Sequence, residues 1–527
     1  MDNKNKLKDL GLVAGLTMLS RVLGLLRDVF IYAMLGTSVF SSAFVLAFTL
    51  PNLFRRLLGE GAMTSALMPI LSDSLGDMEN PRKAPTPRIL NQVTTRLAAW
   101  LVGLAIVSSI GFWALAELAP WEERWVLGAH FASWLMPYMI FICLAAIFIA
   151  ALNLKGHFGL SSLSSIWLNL SIIIAAGIGS FLLDLSMYQR VATLCIAVLV
   201  GGVIQFGSVF WGLNRSGWRV KTDWGRSDEL DNMWALLLPG LASSSILQIN
   251  ILLTRTLSNA IDDSSASVLY LASRLMELPL GVFAIAISTV LFPDLARAVS
   301  SKEPGKFASI CIQGLRWIAV ITIPSVIGLI VYRVEIVDSL FKFGAFDERS
   351  VALTAPVVGL YALSIPAYAW ISFVTRALHA QKKMKETLRV SALTLVVNAV
   401  LCFIGMQLGG TLGLTLGNVI AAWVQLGCLL LLMRLPDVTS ALKASKPVLE
   451  GSRILGASLL MGFSCLGIAQ LVTAFLPPGK WASFTTIAAG IPIAVVLYFG
   501  SLLIFKQTDC IKSWRLVREK LGTLSQK

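Results

Sequence analysis

The chain has 527 residues, of which 56% are hydrophobic and only 14% are charged. Soluble domains usually carry about 25% charged residues, so this composition argues strongly against a soluble enzyme, a disordered protein and a secreted disulfide protein. It predicts an all-α polytopic membrane protein, because apolar stretches of about 18 residues or more are typical of spanning helices.

Fourteen apolar stretches of this kind follow one another along the chain. The second and the eighth are long and contain Pro51 and Pro279, which predict kinks because proline interrupts helical hydrogen bonding. The predicted spans are 10–35, 40–71, 93–117, 129–153, 162–184, 191–213, 233–258, 266–296, 307–332, 351–378, 390–407, 411–433, 454–476 and 482–505.

Lys and Arg are distributed unevenly between the connecting segments. With the N-terminus in the cytoplasm, the inside segments hold 30 of the 43 Lys and Arg, and the outside segments hold 7. Positively charged loops tend to stay in the cytoplasm, so this bias predicts that both termini are cytoplasmic. It also accounts for the net charge of +14 without a nucleic-acid partner.

Two predicted cytoplasmic segments combine Trp with Lys and Arg. One is the linker between spans six and seven, and the other is the basic tail after span fourteen. This composition is typical of segments that lie in the headgroup layer of an anionic membrane leaflet.

The two halves of the chain resemble each other at a spacing near 225 residues. Gly15-Leu16 recurs as Gly240-Leu241, and Met68–Leu71 resembles Phe292–Leu295. The spacing predicts two parallel six-span repeats, an arrangement that usually places a substrate site between the halves. The predicted parts are an N-lobe at 1–213, an amphipathic linker at 214–232, a C-lobe at 233–434, two extra spans at 435–505 and a basic tail at 506–527.

Five arginines and three acids lie within the predicted spans, where a charge costs about 2.5–3.5 kcal/mol. The excess of positive charge predicts water or an anionic ligand nearby, because an unpaired buried charge is destabilising. Arg binds phosphate in bidentate fashion, so we expect a hydrated cavity for a phosphate-bearing substrate. The charged residues are Arg21, Arg27, Asp28, Arg55, Arg56, Glu60, Arg274 and Glu277, and Asn52 and Ser267 add hydrogen-bonding groups.

Spacing along a helix predicts which of these side chains share a face. For two of the sets, an ion pair that only joins helices is the alternative explanation. The predicted sets are Arg21 with Asp28, Asn52 with Arg56 and Glu60, and Arg274 with Glu277.

The sequence contains no recognisable catalytic, metal or cofactor motif. His130, His157 and His379 are far apart, the seven Cys form no CxxC, and no Walker A loop is present. These observations favour a transporter over an enzyme, driven by an ion gradient, the membrane potential or the substrate concentration.

Three blocks of sequence resemble the MurJ (MviN) lipid II flippases: Ser20–Asp28, Leu50–Ala62 and Ser273–Gly281. The fourteen-span plan with two six-span repeats also matches, so the resemblance covers essentially the whole chain. It implies the fold of the MOP exporters, whose N- and C-lobes alternate between inward-open and outward-open states.

The resemblance implies transport of undecaprenyl-pyrophosphate-linked disaccharide-pentapeptide, lipid II, across the bacterial cytoplasmic membrane for peptidoglycan synthesis. It implies that Arg27, Asp28 and Arg274 lie around the pyrophosphate and that the two extra spans form a groove for the lipid tail. The implied partners are lipid II and membrane lipids, with cell-wall synthesis or division proteins as candidates and no nucleic acid.

The chain departs from the family pattern in two respects. Many members carry Asp near the start of span two, where this chain has Ser42. Some members bind sodium with acids in spans seven and eleven, where this chain has Thr254 and Cys402, so sodium coupling is not expected.

Four alternatives to a lipid II flippase remain at this point. A flippase for another lipid-linked oligosaccharide, of the O-antigen or exopolysaccharide type, would share the phosphate chemistry. A cation-coupled drug exporter predicts acidic cavities, a non-transporting scaffold gives no reason for intramembrane Arg, and a membrane-embedded enzyme lacks a nucleophile, base or metal set.

Overall fold

The structure is a computed structural model that describes residues 3–59, 62–75, 86–181, 183–281, 285–433 and 447–508. The described residues form helices and no strand. The chain divides into two compact units. Unit 1 comprises Met1–Ser267 and Phe343–Asp347, and unit 2 comprises Val268–Lys342 and Glu348–Lys527.

Unit 1 is a bundle of long helices around one apolar core. Tyr32, Phe131, Tyr138 and Phe148 are among its most deeply buried side chains. The helices are α1 (Asn3–Leu35), α2 (Val39–Phe54), α3 (Ala62–Leu75), α4 (Arg88–Leu118), α5 (Glu123–Leu135), α6 (Tyr138–Leu154), α7 (Phe158–Phe181), α8 (Met187–Arg215) and α9 (Asp228–Asn259). The segment 216–227 between α8 and α9 is not helical, and we call it the strap.

Unit 2 contains the remaining helices, the first of which begins at the end of unit 1. Its cores are built on α11, α12, α15 and the last two helices. The helices are α10 (Ser265–Pro279), α11 (Ile285–Ser300), α12 (Pro304–Val331), α13 (Arg333–Phe341), α14 (Glu348–Ala362), α15 (Ile365–Ala380), α16 (Met384–Leu432), α17 (Pro447–Phe475) and α18 (Lys480–Ile504).

Helix α16 consists of two arms that pack against each other. The helical dihedral angles break at Gly409 and Gly410, and Gly410 has a φ of 54°. A Cβ atom on Gly413 would lie 1.9 Å from the carbonyl oxygen of Gly405 on the other arm. Only glycine permits so close an approach of two helix backbones, so the arms need small residues at their interface.

The two long predicted spans are divided into shorter helices. A π-helical turn, Arg55–Gly59, follows α2 four residues after Pro51. In unit 2, α10 ends at Pro279 and residue 280 is again π-helical. The interruptions fit the expected effect of proline, which removes a helical hydrogen bond and crowds the preceding turn.

Seven helices among the described residues are long and apolar enough to cross a membrane, and two bent pairs raise the number to nine. The bent pairs are α5 with α6, at 47°, and α14 with α15, at 42°. The sequence predicted one uninterrupted span for each pair and missed both breaks. The helices of the described residues therefore do not by themselves establish fourteen spans.

A short segment from the middle of the sequence completes the core of unit 1. The amide of Ala345 donates to the carbonyl of Ala33 at 2.7 Å, and the buried ring of Phe346 packs edge-on against Tyr32. Gly344 has a φ of 56°, and a Cβ atom there would lie 2.3 Å from the Ala33 carbonyl oxygen. The sequence had indicated only a connecting loop here.

Candidate functional site

Two buried charges of unit 1 form a cluster between α1 and α7. The Arg27 guanidinium donates to the Asp28 carboxylate through Nε at 3.0 Å and Nη2 at 2.7 Å. Its Nη1 donates to the Asn169 amide oxygen at 3.2 Å. The Asn169 amide nitrogen in turn donates to the Ser20 carbonyl at 3.2 Å, so Asn169 bridges two turns of α1.

Asn169 was not among the predicted site residues. The available signal was a polar amide within the apolar stretch 162–184, and buried amides of that kind need partners. Arg21, which was expected to share a face with Asp28, is exposed, whereas Asp28 is buried and paired with its neighbour Arg27. Seven-residue spacing gives the direction of a side chain but not the depth at which each turn of α1 is buried.

The second cluster of unit 1 lies at the π-helical turn after α2. Arg55 donates through Nε to the Asn52 amide oxygen at 3.3 Å, and the Asn52 amide nitrogen donates to the Phe48 carbonyl at 2.8 Å. The expected Asn52–Arg56–Glu60 face assumed an uninterrupted α-helix. The π-helical turn begins at Arg55, so the α-helical spacing that this face requires does not continue beyond it. Glu60 lies outside the described residues.

The charged pair of unit 2 is confirmed. Arg274 Nη1 lies 2.8 Å from Glu277 Oε2, as the i,i+3 spacing predicted. Arg274 Nη2 also donates to the Tyr270 hydroxyl at 3.0 Å, and the guanidinium carbon lies 5.0 Å from the centre of the Tyr270 ring. Tyr270, one turn earlier on α10, was not predicted and positions the guanidinium from the other side.

Ser267 is fully buried at the start of α10. Its hydroxyl donates to the Ser264 carbonyl at 2.8 Å, and its own carbonyl accepts a hydrogen bond from the Tyr32 hydroxyl at 2.6 Å. Its backbone amide donates to the Ser42 hydroxyl at 3.3 Å. These contacts give Ser267 a part in fixing the start of the helix within unit 1.

Two further arginines lie within helices, and each contacts a neighbouring helix. Arg255 lies near the end of α9 and donates to the Thr49 hydroxyl of α2. Arg376 lies on α15 and donates through Nη1 to the Thr289 hydroxyl of α11 at 2.7 Å.

Neutral side chains form a hydrogen-bonded network around Cys402, one of the two positions at which no sodium-binding acid was expected. Cys402 Sγ lies 3.4 Å from the Asn398 amide oxygen, which also accepts from the Asn418 amide at 3.3 Å. The Tyr368 hydroxyl donates to Asn418 at 2.9 Å. Hard cations prefer carboxylate oxygens, and these four side chains offer none.

Comparison with known proteins gives the family to which these charged helices belong. The family model described as "Lipid II flippase MurJ" matches residues 31–489. The chain belongs to the MurJ family. A "Probable lipid II flippase MurJ" of Vibrio cholerae is 28% identical over 517 residues, which are 95% of this chain and 96% of that protein. The "Lipid II flippase MurJ" of Burkholderia cenocepacia is 27% identical over 415 residues, 77% and 79% of the two chains.

Solved structures give the same result for the fold. A structure of "Lipid II flippase MurJ, inward closed conformation" superposes with a TM-score of 0.73 at 25% identity, over 92% of this chain and 97% of that one. A MATE-family multidrug transporter of the MOP superfamily in an inward-facing conformation gives a TM-score of 0.63 at 15% identity, over 82% and 99%. As a MurJ family member with the MOP fold, the chain is a membrane transporter rather than an enzyme.

Proposed function

We propose that this protein is a lipid II flippase. It moves undecaprenyl-pyrophosphate-linked disaccharide-pentapeptide from the inner to the outer leaflet of the bacterial cytoplasmic membrane by alternating access, for peptidoglycan synthesis. The observation that carries this proposal is the match of residues 31–489 to the MurJ family model, together with an alignment to the Vibrio cholerae relative over 95% of the chain.

The same proposal includes fourteen spans with both termini in the cytoplasm. Seven single helices and two bent pairs qualify by length and apolarity. The second arm of α16, the charged helices α1 and α9, and the proline-interrupted pairs α2–α3 and α10–α11 supply the other five. Each helix of the two proline-interrupted pairs has only 14 to 16 residues and is therefore too short to span a membrane singly.

Two parallel repeats are supported by the positions at which irregular elements recur. The first bent pair begins at Glu123 and the second at Glu348, 225 residues later. The π-helical turns begin at Arg55 and at Leu280, which are also 225 residues apart. We therefore keep an N-lobe at 1–213 and a C-lobe at 233–434, and assign the two helices α17 and α18 to a groove for the lipid tail.

The pyrophosphate is proposed to bind arginines of the spans. Arg274 suits this role best, because Glu277 and Tyr270 already orient its guanidinium and because Glu277 is half exposed and can give way to an anion. A phosphate would replace the carboxylate, because a guanidinium can bind phosphate through two parallel N–H groups. Arg55 and Arg56 add positive charge in unit 1, and Arg27 contributes its charge while it remains paired with Asp28.

Complementation tests this assignment. A strain depleted of its own lipid II flippase receives wild type, Arg274→Ala or the matched control Arg297→Ala. Arg297 also forms an i,i+3 pair with an acid, Asp294 at 2.6 Å, but its side chain is 77% exposed. We expect rescue by wild type and Arg297→Ala and at least a tenfold loss of colony-forming units with Arg274→Ala.

Membrane abundance of each variant is measured alongside growth. If well-expressed wild type fails to rescue this strain but restores surface polysaccharide in a strain lacking an O-antigen flippase, the lipid II assignment is wrong. If Arg274→Ala rescues as well as wild type, the flippase assignment stands and the proposed role of Arg274 in pyrophosphate binding is wrong.

A further inference from the structure

The strap lies along the first turns of α4 and is attached to them through its backbone. The amides of Arg219, Lys221 and Asp223 donate to Thr86 Oγ1 at 2.8 Å, Asn91 Oδ1 at 2.9 Å and Thr95 Oγ1 at 3.0 Å. Every second amide therefore finds an acceptor at the start of α4. Because the attachment uses backbone groups, it leaves the Arg and Lys side chains of the strap available.

Two arginines of α4 fix the second half of the strap. Arg96 Nη2 donates to the carbonyls of Trp224 at 2.9 Å and Gly225 at 2.8 Å. Arg88 pairs with the Asp223 carboxylate at 3.1 Å. A hydrogen bond from the Gly225 amide is the main cause of a lowered pKa for Asp223, and Arg88 also lowers it. The single acid of the strap is therefore ionised, and Arg88 of α4 balances its charge.

The beginning of the strap is anchored by a buried lysine. Lys155, at the end of α6, donates to the Ser216 carbonyl at 2.6 Å, and its Nζ lies 4.6 Å from the centre of the Trp218 ring. Trp218 is fully buried. The expectation that both tryptophans of this segment lie in the headgroup layer is therefore wrong for Trp218, which belongs to the core of unit 1.

The outward face of the strap combines cations with an exposed indole. Arg219, Lys221 and Arg226 are exposed, and Trp224 has 62% of its surface exposed. At the end of α8, exposed Arg215 lies over the Trp211 ring at 5.1 Å. The nearest run of acids is Asp228, Glu229 and Asp231 in the first turn of α9, where the helix dipole stabilises negative charge.

The strap lies at the ends of candidate membrane spans. Helix α4 begins beside the strap, and α8 ends at Arg215, where the strap starts. Helix α6 ends beside the strap too, with Lys155 as its C-cap. Spanning helices begin and end at the membrane–water interface, so the strap occupies the depth of the lipid headgroups. Trp with Lys and Arg at that depth is the composition that recognises anionic lipid.

We propose that the outward face of the strap, formed by Arg219, Lys221, Trp224 and Arg226, binds the headgroups of anionic phospholipids. Its attachment to α4 holds the cations in place before lipid arrives, so little conformational entropy is lost on binding. The Lys and Arg bias assigns this face to the cytoplasmic leaflet. The inference requires a chain embedded in a membrane and does not depend on which substrate the chain transports.

Hydrogen exchange of the full-length protein in lipid nanodiscs tests the proposal locally. Exchange of the peptide 216–227 is compared in phosphatidylcholine discs and in discs with phosphatidylglycerol. We expect phosphatidylglycerol to slow exchange of this peptide at least about fivefold, the effect of a single cation near an anionic surface.

The test variant replaces three exposed cations of the strap with glutamine, Arg219→Gln, Lys221→Gln and Arg226→Gln. In this variant, phosphatidylglycerol should no longer slow hydrogen exchange of the peptide 216–227. Its exchange in phosphatidylcholine and its thermal midpoint should stay at wild-type values, because backbone amides hold the strap. The control variant removes the same charge from exposed lysines of unit 2 and should keep the slowing: Lys302→Gln, Lys306→Gln and Lys385→Gln.

Three results would overturn the proposal. The first is equal exchange of the strap in both kinds of disc, and the second is an equal loss of slowing in the control variant. The third is slowing by undecaprenyl pyrophosphate added to phosphatidylcholine discs without any slowing by phosphatidylglycerol, which would assign the strap to the transported lipid. Lipid II transport by the variants is a separate measurement, so failure of the proposed function would leave these outcomes unchanged.

Discussion

The two arginine–carboxylate pairs of the charged helices differ in their surroundings. In unit 1, Arg27 and Asp28 have side-chain exposures of 9% and 4%, and in unit 2, Arg274 and Glu277 have exposures of 29% and 49%. The first pair has a third partner in Asn169 on another helix, whereas the partners of Arg274 include Tyr270 on its own helix. The same pair of residue types can thus be buried in one place and remain accessible in another.

Desolvation makes the cost of breaking these two ion pairs different. A buried ion pair gains strong attraction but loses the hydration of both ions, so breaking it leaves one charge buried without its partner. A half-exposed pair loses little hydration, and its attraction is weakened by water. We therefore expect substitutions at Arg27 to act through stability and substitutions at Arg274 to act through binding.

The largest effect is expected from Arg27→Ala. It leaves the buried Asp28 carboxylate without its main partner, which costs about 3–5 kcal/mol for a buried pair. We expect a sharp fall in monodisperse yield from detergent and in the thermal midpoint, measured by size-exclusion chromatography and a thermal melt.

The control for Arg27→Ala is the double variant Arg27→Ala with Asp28→Ala. Removal of both charges should recover most of the lost stability, since no unpaired ion remains. A double variant as unstable as the single one would contradict the unpaired Asp28 carboxylate as the cause of the lost stability.

A smaller effect is expected from Asn169→Ala. The charged guanidinium of Arg27 loses one acceptor, a hydrogen bond worth about 1.5–3 kcal/mol, and the Ser20 carbonyl loses its donor. The thermal midpoint should fall by less than in Arg27→Ala. Asn169→Asp, which keeps an acceptor for Arg27, is the matched variant, and a larger loss with Ala than with Arg27→Ala would contradict the ranking.

Apolar stretches predict a helix well where contact with lipid determines its amino-acid composition. The sequence located the two arms of α16 and the pair Arg274–Glu277, because hydropathy and i,i+3 spacing are local signals. It missed the bends beside Met136 and Leu363, since a bent helix can be as apolar as a straight one. It missed Phe343–Asp347, whose place in unit 1 depends on contacts with residues some 300 positions away.

The candidate site shows the same limit. Residue type indicated Arg27 and Arg55 correctly as unusual charges within helices, but their partners depend on packing. Asn169 lies 142 residues from Arg27, and no spacing rule links them. The π-helical turn that begins at Arg55 is not represented by α-helical periodicity either.

Lys155 extends the comparison to a buried cation whose described contacts are a carbonyl and an aromatic ring. Burial lowers the pKa of Lys155 from 10.5 to about 8. Between these values the unfolded chain binds more protons than the folded one, so stability should rise as pH increases from 8 to 10.5 and should be lowest below pH 8. The effect is about 1 kcal/mol per pH unit.

The measurement for Lys155 is the difference in thermal midpoint between wild type and Lys155→Met at a series of pH values. Met keeps the apolar stem, so the difference isolates the charge. Wild type should gain on the variant between pH 8 and pH 10. A difference that is independent of pH would mean that hydration at the end of α6 keeps the lysine protonated throughout.

The smallest effect on stability is expected from Arg274→Ala. Exposed pairs contribute about 0–1 kcal/mol, so the thermal midpoint should change little although complementation is lost. Glu277→Gln is the matched variant, because it removes the charge of the partner and leaves Arg274 held by Tyr270. A loss of stability as large as that of Arg27→Ala would show that the pair in unit 2 matters as much for stability as the buried pair in unit 1, and its accessibility to an anion would then no longer distinguish the two pairs.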